Sequence, residues 1–165
     1  LEMDKLKLVV TKMSVLAERQ LNYLLNPKLN DILPPFVNLG ELGLNFGMQG
    51  VQFTATSTTA ENQMLSNSMY VHSIPNNNDN QDVVSMGANA ALITKKVIEN
   101  AFEVVAIELI TITQAIEYLK VQDKVSSKTK LMYDQIRELV PVLKKDVVMY
   151  RYVAKVKAFI MASER

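Results

Sequence analysis

Between Ala101 and Leu119 the only charged residues are Glu103, Glu108 and Glu117, and nearly every other position is apolar, so a helix here is hydrophobic almost all round. Such a helix has to be covered on most of its sides. Ser85 or the residues just before it are placed to cap it, which gives a helix of about 34 residues and, at about 1.5 Å per residue, a rod of roughly 50 Å. A compact chain of 165 residues is only about 40 Å across. The rod outruns its own domain, and the stretch from Ala101 to Leu119 is expected to be buried against other subunits or against chain outside this sequence.

The remaining pattern is also helical. From Met3 to Leu25, Leu6, Val9, Val10, Met13, Leu16, Leu21 and Leu24 step by three and four with Lys5, Lys7, Lys12, Glu18 and Arg19 between them. This predicts an amphipathic helix whose apolar face turns inward. It stops at Asn26-Pro27, because the residue before proline is pushed out of the α region. A loop follows with Pro34-Pro35, Gly40, Gly43 and Gly47. Residues 48–68 read both ways: Val51, Phe53 and Ala55 alternate with Gln52, Thr54 and Thr56 as a strand would, and threonine favours β structure. The helical reading is preferred because no hairpin partner with turn chemistry is present. Tyr70 to Asp82 is a second loop, with Pro75 and an Asn76–Asn80 cluster whose side chains favour turns. After Ser126-Ser127 a helix with Leu131, Ile136 and Leu139 ends at Pro141, and a last helix carries Val147, Val148, Tyr152, Val156 and Ile160. The expectation is one all-α domain over residues 1–165, a bundle of long helices.

Eighteen Lys and Arg balance 17 Asp and Glu, so no nucleic-acid partner is indicated, and no uncharged stretch is apolar enough to suggest a membrane span. Cysteine is absent, which removes disulfides and thiolate chemistry and favours a reducing, cytoplasmic setting. The opening Leu1-Glu2-Met3 lacks a natural start and reads as an expression scar or as the edge of a longer protein. The 9 methionines are expected to fill gaps in the core, and Lys144, Lys145, Arg151, Lys155 and Lys157 to form a solvated face.

From Leu42 to Asn78 the sole formal charge is Glu61, which is either a solvated helix residue or a positioned acid. His72 has no second metal ligand at a useful spacing, and no metal site is expected. No nucleophile elbow, phosphate loop or dinucleotide fingerprint is present. On these grounds alone the chain is a helical, oligomeric domain.

Three ordered blocks add to this reading. Val71-His72-Ser73-Ile74-Pro75 followed by Asn80-Gln81-Asp82-Val83-Val84-Ser85-Met86-Gly87 resembles the loop-to-helix signature of the aromatic amino acid lyases, the histidine, phenylalanine and tyrosine ammonia-lyases and related aminomutases. Gly43-Leu44-Asn45-Phe46-Gly47, leading to Ala60-Glu61-Asn62-Gln63, is similar to the family's G-L-N-S-G and S-E-N-K. Ile136-Arg137-Glu138-Leu139-Val140-Pro141-Val142-Leu143 is similar to I-R-x-x-V-P-x-L.

The resemblance implies the C-terminal part of a lyase that eliminates ammonia from an L-amino acid to leave an α,β-unsaturated acid, within a homotetramer that buries such long helices in a central bundle. It implies 4-methylideneimidazole-5-one (MIO) as the electrophile, formed from an Ala-Ser-Gly that these 165 residues lack, so the piece alone is expected to be inactive. It gives Gln81 the role of a substrate contact, with Asn45, Glu61 and Asn80 as candidates for supporting the site. Gln81 stands where typical histidine lyases have glutamate, and Val83 where many have histidine. Both departures count against histidine and leave the amino acid open. The other readings are an aminomutase of the same family and a helical assembly module without catalysis.

Overall fold

A computed structural model describes residues 1–162. The elements are α1 (Glu2–Leu25), the single turn α2 (Pro27–Asn30), a 3-10 turn (Pro35–Val37), α3 (Gln49–Leu65), α4 (Gly87–Leu119), α5 (Ser127–Leu139) and α6 (Tyr150–Ala162). No strand occurs among the described residues, only the isolated bridges Leu42–Asn45 and Asn76–Gln81.

α4 is the axis, with α1, α3, α5 and α6 all packed on it. Val104, Ala106, Ile107 and Ile110 are fully buried, and of residues 101–119 only Tyr118 and Leu119 are exposed. The expectation that this stretch needs other subunits for cover is corrected: helices of the same chain supply most of it. The cap is also corrected. α4 starts at Gly87, one residue later than a Ser85 cap requires, and its N-cap is Met86, which makes no side-chain bond and accepts Ala90 N through its carbonyl at 3.0 Å. α6 begins at Tyr150, so Val147 and Val148 precede it.

α3 forms as a helix because Val51, Ala55, Thr59 and Asn62 make one buried row at helical spacing. Packing of that row decides over the local β preference of the threonines. Of the methionines, Met48 is fully buried, whereas Met3, Met13 and Met64 are exposed, so gap filling accounts for only some of them.

The orientation of α1 reverses the sequence expectation. Its inward face is Asp4, Lys7, Thr11, Ser14, Ala17 and Glu18, continuing into Leu21 and Leu25. Leu6, Val9, Met13 and Leu16 point outward and are 40%, 57%, 62% and 59% exposed. The polar row can be buried because each member finds a partner. Asn62 of α3, fully buried, donates to Ser14 Oγ at 3.0 Å and to the Val97 carbonyl at 3.2 Å. It accepts from Asn100 Nδ2 at 2.9 Å, and its own carbonyl accepts from Thr11 at 3.2 Å. Glu18 accepts from Thr56 at 3.0 Å and pairs with Arg19. These bonds join α1, α3 and α4 at one crossing.

Asn62→Ala removes the three side-chain bonds at once and leaves buried partners unsatisfied, at about 1–3 kcal/mol each before relaxation. The expected loss of unfolding free energy is about 3 kcal/mol, read from urea denaturation, whereas Glu138→Gln on the outer side of α5 is expected to change it by less than about 0.5 kcal/mol.

Candidate functional site

The segment between α3 and α4, residues 66–86, carries the block with Asn80 and Gln81. Its root lies against the first turns of α1. The Asp4 carboxylate accepts from Ser68 Oγ at 3.0 Å, from Met69 N at 3.1 Å and from Tyr70 N at 2.9 Å. Lys7 Nζ donates to Asp4 at 2.9 Å and to the Asn67 carbonyl at 2.5 Å, with both charged groups buried. Three hydrogen bonds and an adjacent ammonium are the conditions that favour an ionised carboxylate. The Lys7 ammonium, then the Met69 amide, hold Asp4 well below the usual carboxylate range against the opposing effect of burial, with Ser68 and Tyr70 adding to the lowering.

Beyond the root, residues 70–83 are all exposed. The tip closes as a small hairpin: Asn76 and Gln81 exchange main-chain bonds of 3.0 and 3.3 Å, and Asn80 N donates to the Asn77 carbonyl at 3.1 Å. Asn77, Asn78 and Asp79 between them are left-handed, at φ 54°, 55° and 62°. Asn and Asp are the non-glycine residues that adopt this region at least cost, which gives the Asx cluster its physical reason. Ser73 Oγ braces the stem by accepting from Val84 N at 2.9 Å. The main chain of Gln81 is therefore fixed, while no hydrogen bond engages the side-chain amide of Gln81 or Asn80 among the described residues. Val83 is 85% exposed, and Val71 and Ile74 of the same loop are exposed too. His72 is exposed on the same loop, and among the described residues no group of three metal-binding side chains comes together.

The other two candidates lie elsewhere. Glu61 accepts from Asn100 Nδ2 at 2.6 Å and lies 3.8 Å from Lys96, so its partners are on α4 and are shared with the Asn62 crossing. Asn45 locks a loop: its Oδ1 accepts from Asp146 N at 3.0 Å, and the Asp146 carboxylate accepts from Phe46 N and Gly47 N at 3.0 and 3.1 Å. Gly47 is left-handed at φ 59°, and a Cβ there would stand 2.9 Å from the Phe36 carbonyl, so the turn admits only glycine without displacement. This loop borders a half-open groove of about 680 Å³ whose walls include Phe46, Phe53, Val147, Tyr150 and the Glu103–Lys157 ion pair. Thus Asn80 and Gln81 share one loop, whereas Asn45 and Glu61 have no bonding partner in common with them or with each other.

The third block is a clamp. Arg137 donates to the Thr113 carbonyl of α4 at 2.7 Å and to the Pro141 carbonyl at 3.2 Å, and both ends of the Gln114 amide engage the main chain of Leu143. Sequence reasoning missed Asp4 and Lys7, which look like an ordinary i, i+3 pair on a solvated helix face. The signal was their heptad step to Thr11, Ser14 and Glu18.

A model of the family described as aromatic amino acid lyase matches residues 1–138. Histidine ammonia-lyase 1 of Fusobacterium nucleatum is 37% identical over 150 residues, covering 91% of this chain and 29% of that protein. Tyrosine ammonia-lyase of Cupriavidus metallidurans is 38% identical over 144 residues, covering 87% and 27%. The crystal structure of tyrosine aminomutase from Streptomyces globisporus superposes with a TM-score of 0.95 at 36% identity, over 98% of this chain and 31% of that one. The chain thus spans about 30% of the length of these relatives.

Two outcomes follow from the loop geometry. Unfolded, Asp4 takes up its proton near the ordinary value of 3.8, and folded only at lower pH, so below about pH 4 the unfolded chain binds more protons. Its stabilising contribution is complete above that pH and is lost as the pH falls toward the folded value. Hydrogen exchange between pH 5 and 2 should therefore release the Met69 and Tyr70 amides as the acid limit is approached, and less steeply in Asp4→Asn. Asn78→Gly should be neutral or stabilising, and Asn78→Val should cost about 1–2 kcal/mol in thermal unfolding because a β-branched residue does not tolerate the left-handed region.

Proposed function

We propose, for a chain that belongs to the aromatic amino acid lyase family, that its parent protein eliminates ammonia from an aromatic L-amino acid to give an α,β-unsaturated acid, with residues 70–86 forming one wall of the substrate pocket. The observation that carries this is Gln81, whose main chain is pinned to Asn76 while its side-chain amide stands unengaged on a loop that also exposes Val71, Ile74 and Val83. MIO supplies the electrophile for this chemistry, and these 165 residues hold no Ala-Ser-Gly from which to form it, so the group sits on the remaining length of the parent. What this chain provides is binding and orientation. The neutral amide of Gln81 both donates and accepts, and it brings no charge beside an apolar ring. Asn80 offers a second amide next to it.

A buried polar group left without its partner costs about 1–3 kcal/mol, so amide and carboxylate at position 81 should discriminate between rings. Gln81→Glu in the full-length parent is expected to lower kcat/KM for phenylalanine or tyrosine at least tenfold while that for histidine falls less or rises. An equal change for all substrates would show that Gln81 only braces the loop. The product separates the aminomutase reading: a β-amino acid in place of an unsaturated acid supports it. The isolated 165-residue chain should turn over none of these substrates, since binding contacts without the electrophile do not lower the barrier.

The parent is a homo-oligomer on this reading, and the support is the outer face of α1. Leu6, Val9, Met13 and Leu16 form an open apolar stripe of the kind that soluble monomers seldom leave in water. Nearby, Glu108 is half-buried against Tyr23 and Ile112, and desolvation raises its carboxyl above the ordinary range. A cytoplasmic setting is supported by the cysteine-free composition. Met13→Glu combined with Leu16→Glu should lower the mass of the parent by light scattering. An unchanged mass would remove α1 from the interface.

A further inference from the structure

Residues 70–83 have no buried side chain with which to hold themselves to the helices. Their own bonds, the Asn76–Gln81 bridge and the Ser73 brace, shape the loop without attaching it. Attachment comes at the root that leaves α3, on the first turns of α1. On the α3 side, Asp4 takes the Ser68, Met69 and Tyr70 donors, and Lys7 takes the Asn67 carbonyl.

We propose that the Asp4–Lys7 pair is the positioning element of the substrate loop: it sets where residues 66–70 leave α3 and thereby where Gln81 stands. The chemistry of the pair suits the task. A carboxylate is an acceptor with two oxygens and about four lone-pair sites, which three loop donors and one ammonium fill. An amide in the same place has one acceptor oxygen and turns its own donors against the loop donors. Lys7 compensates the buried negative charge and, through its second bond, fixes the carbonyl that precedes the turn. Because the loop is braced internally, a shift at Tyr70 is carried to the tip as a body and is not absorbed on the way. Neither residue touches the substrate. Their effect on the reaction rests on the lyase reading and on Gln81, whereas their effect on the loop does not.

The test uses the full-length parent with Asp4→Asn, Lys7→Met and the double variant. Removing one partner of a buried ion pair strands the other charge and is strongly destabilising, so the double variant, with no charge left, is the informative one should a single variant fail to fold. The expected result is amide exchange at least tenfold faster at Met69 and Tyr70, with the Asn76, Gln81 and Val84 amides, which the loop's own bonds hold, and helices α4 and α6 unchanged. Alongside it, KM for the best aromatic amino acid should rise about tenfold while kcat per folded enzyme stays within threefold. A merely structural role would lower the amount of active enzyme at constant KM. Unchanged exchange at Met69 and Tyr70, or loosened exchange with unchanged KM, overturns the proposal. If the parent turns over no aromatic amino acid, the lyase reading falls by itself, and the exchange measurement alone then decides whether Asp4 and Lys7 hold the loop.

Discussion

The crossing of α1, α3 and α4 at Asn62 is the constraint on which the other placements depend. One fully buried amide uses both its donors and its acceptor between three helices. Apolar contacts tolerate sliding, because one buried methyl group is much like the next. A hydrogen-bonded amide does not, since a shift of one residue leaves donors and acceptors unpaired in a medium where each costs about 1–3 kcal/mol. The crossing therefore sets the register of α1 on α4. That register brings Asp4 under the end of α3 and so places the root of the loop, and it sets Met3 beside Thr94.

How far this was legible in the sequence differs by element, and the differences have physical causes. α4 was legible because a helix nearly free of charge has one environment open to it, the interior. What covers it was not, since periodicity describes a face and is silent on the neighbour. α3 was ambiguous because its threonines favour strands locally, and only the row Val51, Ala55, Thr59 and Asn62 meeting two other helices resolves it. α1 was read inside out. Its two faces were visible, but the rule that the apolar one turns inward fails when the polar one can satisfy itself with Asn62, Asn67 and Thr56. The candidate site was legible only through its resemblance. The side-chain amides of Asn80 and Gln81 make no hydrogen bond among the described residues, whereas Asn45 and Glu61 are engaged by Asp146 and by Asn100.

The motifs that carried the resemblance thus divide by physical role. The 136–143 block ties the end of α5 to α4 through Arg137 and Gln114, the 43–47 block ties a glycine turn to Asp146, and the 60–63 block builds the crossing. In the 80–87 block Asn80, Gln81, Asp82 and Ser85 are all exposed. Short shared sequences can mark joints between helices as readily as they mark chemistry, and the hydrogen-bond inventory tells the two apart.

The inverted polarity of α1 bears on the order in which the chain is assembled. α1 is made before α3 and α4, yet its inward face has little hydrophobic drive toward anything until Asn62 and Asn100 exist to meet it, and the Met3–Thr94 contact spans 91 residues. Contacts so distant along the chain form slowly. Through that interval the Leu6, Val9, Met13 and Leu16 stripe is an open adhesive surface, and nothing among the described residues covers it even at the end. An early encounter between two nascent α1 helices is then a competitor to folding and a rehearsal of association at once, and the concentration at which the chain is synthesised decides between them.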